Sequence, residues 1–186
     1  MHSSFNVAVT MTSLQDVVSV FTNPLCSLVS PMRSWLPAYL VISGHCYHAC
    51  AFSLKSNEVW HHLIFVAFGG FITLSVPWGP LMALALFCVS GLPGAIDYAV
   101  LALVKLKRVS RLREKRCNTW INTWIRIPGH VFVAVVAWVC LVHGTNTRLP
   151  TSVVVVAIAL ALGNGLYYGE QVIGNYHYAR AKAEVA

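Results

Sequence analysis

The feature that most constrains this chain is a succession of apolar runs, each separated from the next by a few charged or turn-forming residues. The hydrocarbon core of a membrane is ~30 Å thick, and a helix crosses it with ~20 apolar residues. Five runs meet or approach that length. The first extends from about Trp35 to Leu54 and ends at Lys55-Ser56-Asn57; the second extends from about Glu58 to Val76 and ends at Pro77-Trp78-Gly79-Pro80, a turn written in Pro and Gly. The third follows at once, to about Val104. The fourth, Gly129 to His143, is short unless its start reaches back into the preceding segment, and the fifth runs from Thr151, just past Pro150, to about Tyr178. Ahead of them Phe5 to Val29 is moderately apolar but broken by Asp16 and Asn23-Pro24, which predicts an interfacial segment or a short span.

Composition agrees. Hydrophobic residues make up 57% and charged residues 10%, with a mean hydropathy of +0.66, more apolar surface than a water-soluble domain of this size hides. The expected fold is an all-α polytopic transmembrane bundle of about five spans, with the N-terminal segment as a sixth if it crosses. Residues 1–33 form that N-terminal segment, residues 34–178 the bundle with a basic interfacial connection at 105–128, and residues 179–186 a polar tail.

The net charge of +7 is gathered in one connection instead of being spread over a face, which argues for membrane topology and against a nucleic-acid partner. Of the 13 basic residues, eleven fall on one side of a five-span alternation: Lys55, the eight of the connection (Lys105, Lys107, Arg108, Arg111, Arg113, Lys115, Arg116 and Arg126), Arg180 and Lys182. Only Arg33 and Arg148 fall on the other. This asymmetry places the C-terminus on the cytoplasmic or matrix side. The start of the chain lacks the pattern of a secretory signal; it is free of acidic residues and carries Ser and Thr, like an organelle-targeting segment, but without arginines. The host membrane is expected to be the endoplasmic reticulum or the mitochondrial inner membrane. The six cysteines lack zinc or disulfide-framework spacing, so no structural disulfide is expected.

In the basic connection Leu106, Val109 and Leu112 share a helical face, while Trp120 and Trp124 repeat at i, i+4. This predicts an in-plane segment on the inner leaflet. Its positive charges and aromatic belt, Lys105, Lys107, Arg108, Arg111, Arg113, Trp120, Trp124 and Arg126, would contact anionic lipid head groups. In the third run Pro93, within Gly91-Leu92-Pro93-Gly94, lacks an N–H and clashes with the Val89 carbonyl, which predicts a kink. Asp97 lies one turn further on, and an intramembrane carboxylate should face the interior.

His45 and His48 close the first run, and Glu58, His61 and His62 open the second across a short turn, so these histidines should meet at one membrane depth. Together with Asp97 and Glu170, the residues His48, His61 and His62 are expected to line a cavity at the basic end. Glu-x-x-His-His opposite His-x-x-His has ligand types that suit zinc or iron. With a single adjacent pair and too few histidines for a di-iron centre, however, no metal or other cofactor is expected. His61 or His62 as acid/base with Asp97 as the orienting carboxylate is the catalytic alternative. In the fifth run Ala157, Ala161, Gly165 and Gly169 form a smooth ridge for close helix packing.

A polar-interrupted helix, a short turn, a helix opening with His61-His62, further spans and a last long helix with Asn, Tyr and Gly near its end resemble the TLC-domain superfamily, which includes ceramide synthases and translocon-associated membrane proteins. The resemblance covers roughly Trp35 to Tyr178. In the ceramide synthases the His pair works with acidic residues in acyl transfer; here His61 and His62 match, while the acidic pair of a later helix is missing and Asp97 stands alone. The resemblance therefore implies a non-enzymatic TLC-like protein that binds or organises membrane lipids. Two alternatives stand beside it: an accessory subunit of a respiratory or ATP-synthase complex, docking to other membrane subunits through the ridge and the basic segment, and an acyl-transfer or metal-dependent lipid enzyme.

Overall fold

The computed structural model describes residues 2–54, 56–146 and 148–185; Lys55, one of the eleven positive charges counted above, lies outside them. Helix α1 spans His2–Thr22 and α2 Leu36–Ala51, with a short 3-10 turn at Pro24–Cys26 between them. Helix α3 begins at Ser56–His61, widens into a π-helical stretch at His62–Phe68 and continues through Gly69–Ser75. Helix α4 is Pro80–Lys105, α5 is Arg111–Val142 and α6 is Thr151–Val185. Among the described residues every regular element is helical.

Four of these helices are long and apolar enough to cross a membrane: Glu58–Ser75 within α3, and α4, α5 and α6. This is the make-up of an integral membrane protein. Only 6% of the apolar window of Glu58–Ser75 is buried inside the protein, so something other than this chain must cover the rest. The first expected span is the exception, since α2 has 16 residues and falls short of a full crossing.

The basic connection differs from expectation. Instead of lying apart from the next span, it is helical from Arg111 and continues without a break into it, and it packs on α6. Ser110 starts the helix, its Oγ accepting the Arg113 N–H at 3.3 Å. Glu114, Ile121 and Asn122 are buried on its inner face, while Trp120 and Trp124 stand exposed on the outer one.

Both intrahelical prolines are absorbed in the same way. A π-helical turn at Phe87–Gly91 precedes Pro93, and another at Asn122–Arg126 precedes Pro128. A wide turn moves the carbonyl that the pyrrolidine ring would strike and leaves no orphaned bond where the proline N–H is missing.

Helix α1 packs against α2 and along α4. It is antiparallel to α4: Ser3 bonds to the Ala95 carbonyl, Asn6 to Ser90, and Gly91 lies against Thr10. Asp16 is fully buried, and both its oxygens accept the Arg33 backbone N–H at 3.2 Å, which ties the loop after α1 back onto that helix. The apolar core gathers at the end away from the basic segment. There Val17, Val20, Leu28, Trp78, Leu81, Cys140, Leu149 and Val154 close together. All six cysteines are free thiols.

Candidate functional site: an apolar slot with a histidine end

The turn after α2 folds α3 back beside it and brings four imidazoles together. The rings of His45 and His61 are 5.9 Å apart between centroids, those of His45 and His62 5.8 Å, and His48 stacks on His62 at 5.6 Å. Helix α6 closes the group, the Tyr168 ring meeting His61 edge-on at 4.9 Å. The expected meeting of the histidines at one depth is thus what the chain does, and the wide turn of α3 starts at His62 itself.

From this cluster an apolar cavity of about 180 Å³ runs between α2, α3, α4, α5 and α6 towards Trp78. Ile42, Phe65, Met82, Val133 and Ile158 are among its walls. Its few polar walls away from the histidines are already bonded: the Thr73 hydroxyl donates to the Gly69 carbonyl at 2.8 Å, and the Trp78 indole N–H to the Ile72 carbonyl at 3.2 Å. On α6 the lining runs from Val154 to Asn164, ten residues of helix and hence about 15 Å. That is half the ~30 Å hydrocarbon thickness, the depth of one leaflet.

Two polar residues that the sequence did not single out for the site complete its side wall. His130 on α5 and Asn164 on α6 are both buried, and the Asn164 amide lies 3.4 Å from His130 Nε2. The ring is anchored at its other nitrogen, where Nδ1–H donates to the Arg126 carbonyl at 2.6 Å.

The other expected site residues divide. His45 and His61 line the cavity, with His48 and His62 stacked behind them. Asp97 is elsewhere, on a part of α4 that faces α5. Its strongest charged neighbours are Arg126 and then Glu114, and no histidine of the cluster is among them. The pairing of His61 or His62 with Asp97 is therefore not formed. Arg126 in turn is no surface lipid contact; it reaches inward, its guanidinium donating to Asn122 Oδ1 at 3.1 Å. Lys105, Lys107, Arg108, Arg111 and Arg113 are exposed beside Trp120 and Trp124. Glu170 is exposed and does not line the cavity.

The ridge on α6 is split between two tasks. Ala157 and Ala161 line the cavity, whereas Gly165 lies against His130 and Gly169 against Ile127, so the glycine half is an internal seam with α5. Among the described residues no group of three or more His, Cys, Asp or Glu side chains is arranged to hold a metal ion. Comparison with protein-family models, with curated proteins and with solved structures gave no match.

Proposed function

We propose that this chain is a non-catalytic, TLC-like integral membrane protein that binds a lipid chain in the slot between α2, α3, α4, α5 and α6. The observation that carries the reading is the slot itself: apolar, about 15 Å long on α6, and with unbonded polar groups only towards its histidine end. A tail seated there would exchange contact with the bilayer for contact with close-packed helices, and the polar groups would take the head. Helix α1, with 21 residues and an apolar outward face, counts as a crossing in this reading and α2 as a short one. Both termini then lie on the cytoplasmic or matrix side with the exposed basic residues, which would hold anionic head groups of that leaflet.

Filling the slot tests the reading. Ala161→Trp places an indole where the tail would lie, and lipid extracted from the purified variant should fall well below one molecule per chain while the wild type retains about one. Equal lipid content in the two proteins, or no retained lipid in the wild type, would defeat the proposal. The accessory-subunit alternative keeps the exposed basic segment and the alanine half of the α6 ridge as docking surfaces, while the glycine half of that ridge is occupied by α5.

A further inference from the structure

The hydrogen-bonding sense of the slot's polar end selects a head group, an inference that rests on the lipid-slot reading above. A backbone carbonyl only accepts, so a ring nitrogen in contact with one must carry the proton. His45 Nδ1 lies 2.8 Å from the Val41 carbonyl, His62 Nδ1 2.7 Å from that of Glu58, and His130 Nδ1 2.6 Å from that of Arg126. All three rings, on three different helices, are thereby fixed as the tautomer whose Nε2 is an acceptor.

The amide of Asn164 follows from this. Facing the lone pair of His130 Nε2 it must turn its NH₂ to the ring, which leaves Oδ1 as the atom directed away. Asn164 Oδ1 and His62 Nε2 are both buried without a hydrogen-bond partner. The end of the slot therefore has acceptors in excess of donors. Of the three rings that line the slot, His45 and His130 are fixed in this way, whereas the Nδ1 of His61 is buried and unbonded, so its tautomer is not set by a backbone carbonyl. His61 and Asn164 line the same slot, and Tyr168, against which His61 packs, stands one helical turn beyond Asn164.

We infer that the slot takes a single-chain lipid with a neutral hydroxyl head, which donates its O–H to Asn164 Oδ1 and accepts from the ring of His61. Among the described residues no Lys, Arg, Asp or Glu lines the slot, so a carboxylate or phosphate would be buried among acceptors without a counter-ion there, and the carboxylate nearest His61, that of Glu58, stands outside the lining. A hydroxyl is the simplest head that both donates and accepts.

The test compares three twelve-carbon probes on the full-length wild-type protein in detergent at pH 8, where histidine, with its ordinary pKa of ~6.5, is neutral. These are 1-dodecanol, its methyl ether and dodecanoate, with one-to-one adducts measured by native mass spectrometry and affinities expressed per mole fraction in the micelle. The ether keeps the chain and the oxygen but loses the donor. Dodecanol should bind about tenfold more tightly than the ether, the worth of one hydrogen bond of ~1–1.5 kcal/mol, and dodecanoate should be weaker still. In Asn164→Leu the gap between alcohol and ether should close towards onefold. An ether that matches the alcohol, or a carboxylate that exceeds it, would overturn the hydroxyl assignment while leaving lipid binding intact; three probes that all fail to bind would remove the lipid-slot reading as well. The probe comparison needs no substitution, so it decides the matter even if Asn164→Leu does not fold.

Discussion

Two glycines two residues apart on α6 make opposite predictions. A methyl group at Gly165 would lie 2.9 Å from His130 Cβ and 3.0 Å from its Cγ, against an ordinary carbon contact of ~3.5–4.0 Å. Helices α5 and α6 would have to part by about half an ångström, and overpacking of this kind costs ~1–3 kcal/mol. The Asn164 to His130 hydrogen bond, already 3.4 Å, would lengthen past usefulness and cost roughly another 1 kcal/mol. Against this stands a gain of ~1 kcal/mol from replacing Gly by Ala within a helix. Gly165→Ala should therefore destabilise by about 1–3 kcal/mol. At Gly163 nothing lies within 4 Å, so Gly163→Ala keeps only the propensity gain, up to about 1 kcal/mol in the other direction. At ~2–4 °C per kcal/mol for a chain of this size, the two variants should differ in Tm by roughly 5–10 °C. The assay is thermal unfolding in detergent followed by a thiol-reactive dye, since Cys88 and Cys140 are buried and become reactive only when the bundle opens. Gly165→Ala melting at or above the wild type would refute the packing of α6 on α5.

Single-cysteine labelling with an impermeant maleimide in a cysteine-free background should place positions 33 and 148 on one side and positions 4, 107 and 182 on the other; position 4 reacting with 148 would end the six-crossing arrangement. Converting Lys105, Lys107, Arg108, Arg111 and Arg113 to Gln should abolish any preference for anionic over zwitterionic lipid, at roughly 1 kcal/mol per residue near the surface, and a preference that survives in a vesicle or nanodisc exchange assay would move head-group binding elsewhere. Asp97 and Arg126 are not in direct ion-pair contact, yet each feels the other's charge, and each holds a buried side-chain atom without a partner. Arg126→Leu alone should cost about 3 kcal/mol or more, and the double change with Asp97→Leu should cost less than either single change; additive effects in the unfolding assay would show that the two do not act together.

Much of the arrangement is legible in the residues, and the failures have identifiable causes. Prolines announce where helices must adjust, and Pro93 does; that the adjustment takes the form of a wide turn at Phe87–Gly91 depends on neighbours no single segment contains. The histidine cluster was readable because a short turn fixes both the order and the depth of its members. Depth does not give azimuth, however. Asp97 shares the depth of the cluster but lies beyond the wide turn at Phe87–Gly91, which re-sets the rotation of everything after it, and it faces Arg126 instead. The segment 105–128 was read as in-plane because charge density outweighed helix continuity, although Ser110 was available as a capping residue. His130 and Asn164 are legible too: each is a polar residue in an apolar run, and they stand at nearly equal distances from the loop joining α5 and α6, so antiparallel neighbours bring them together.

The same logic decides the N-terminal helix. The mean hydropathy of α1 is modest because it averages an apolar outer face with an inner one that mixes Val9, Val17 and Val20 with polar groups. Val7, Met11, Leu14, Val18 and Phe21 point away from the protein at alternating spacings of four and three, with Gln15 the main polar exception. Asn6, Ser13 and Asp16 point inward and are buried. A helix on a water-soluble protein turns its polar face outward; this one keeps an apolar outer face and gathers its polar groups inside, the pattern expected if, as proposed above, its outer surroundings are hydrocarbon. Met11, 63% exposed, makes the test. On a water-facing helix Met11→Asp is an exposed substitution that costs within about 0.5 kcal/mol. On a lipid-facing helix, close to mid-length, it carries the insertion penalty of roughly 2.5–3.5 kcal/mol for a charged residue. Expressed with a glycosylation reporter ahead of α1, the variant should lose most of its correctly inserted fraction, and an unchanged fraction would put α1 in water and reduce the bundle by one crossing.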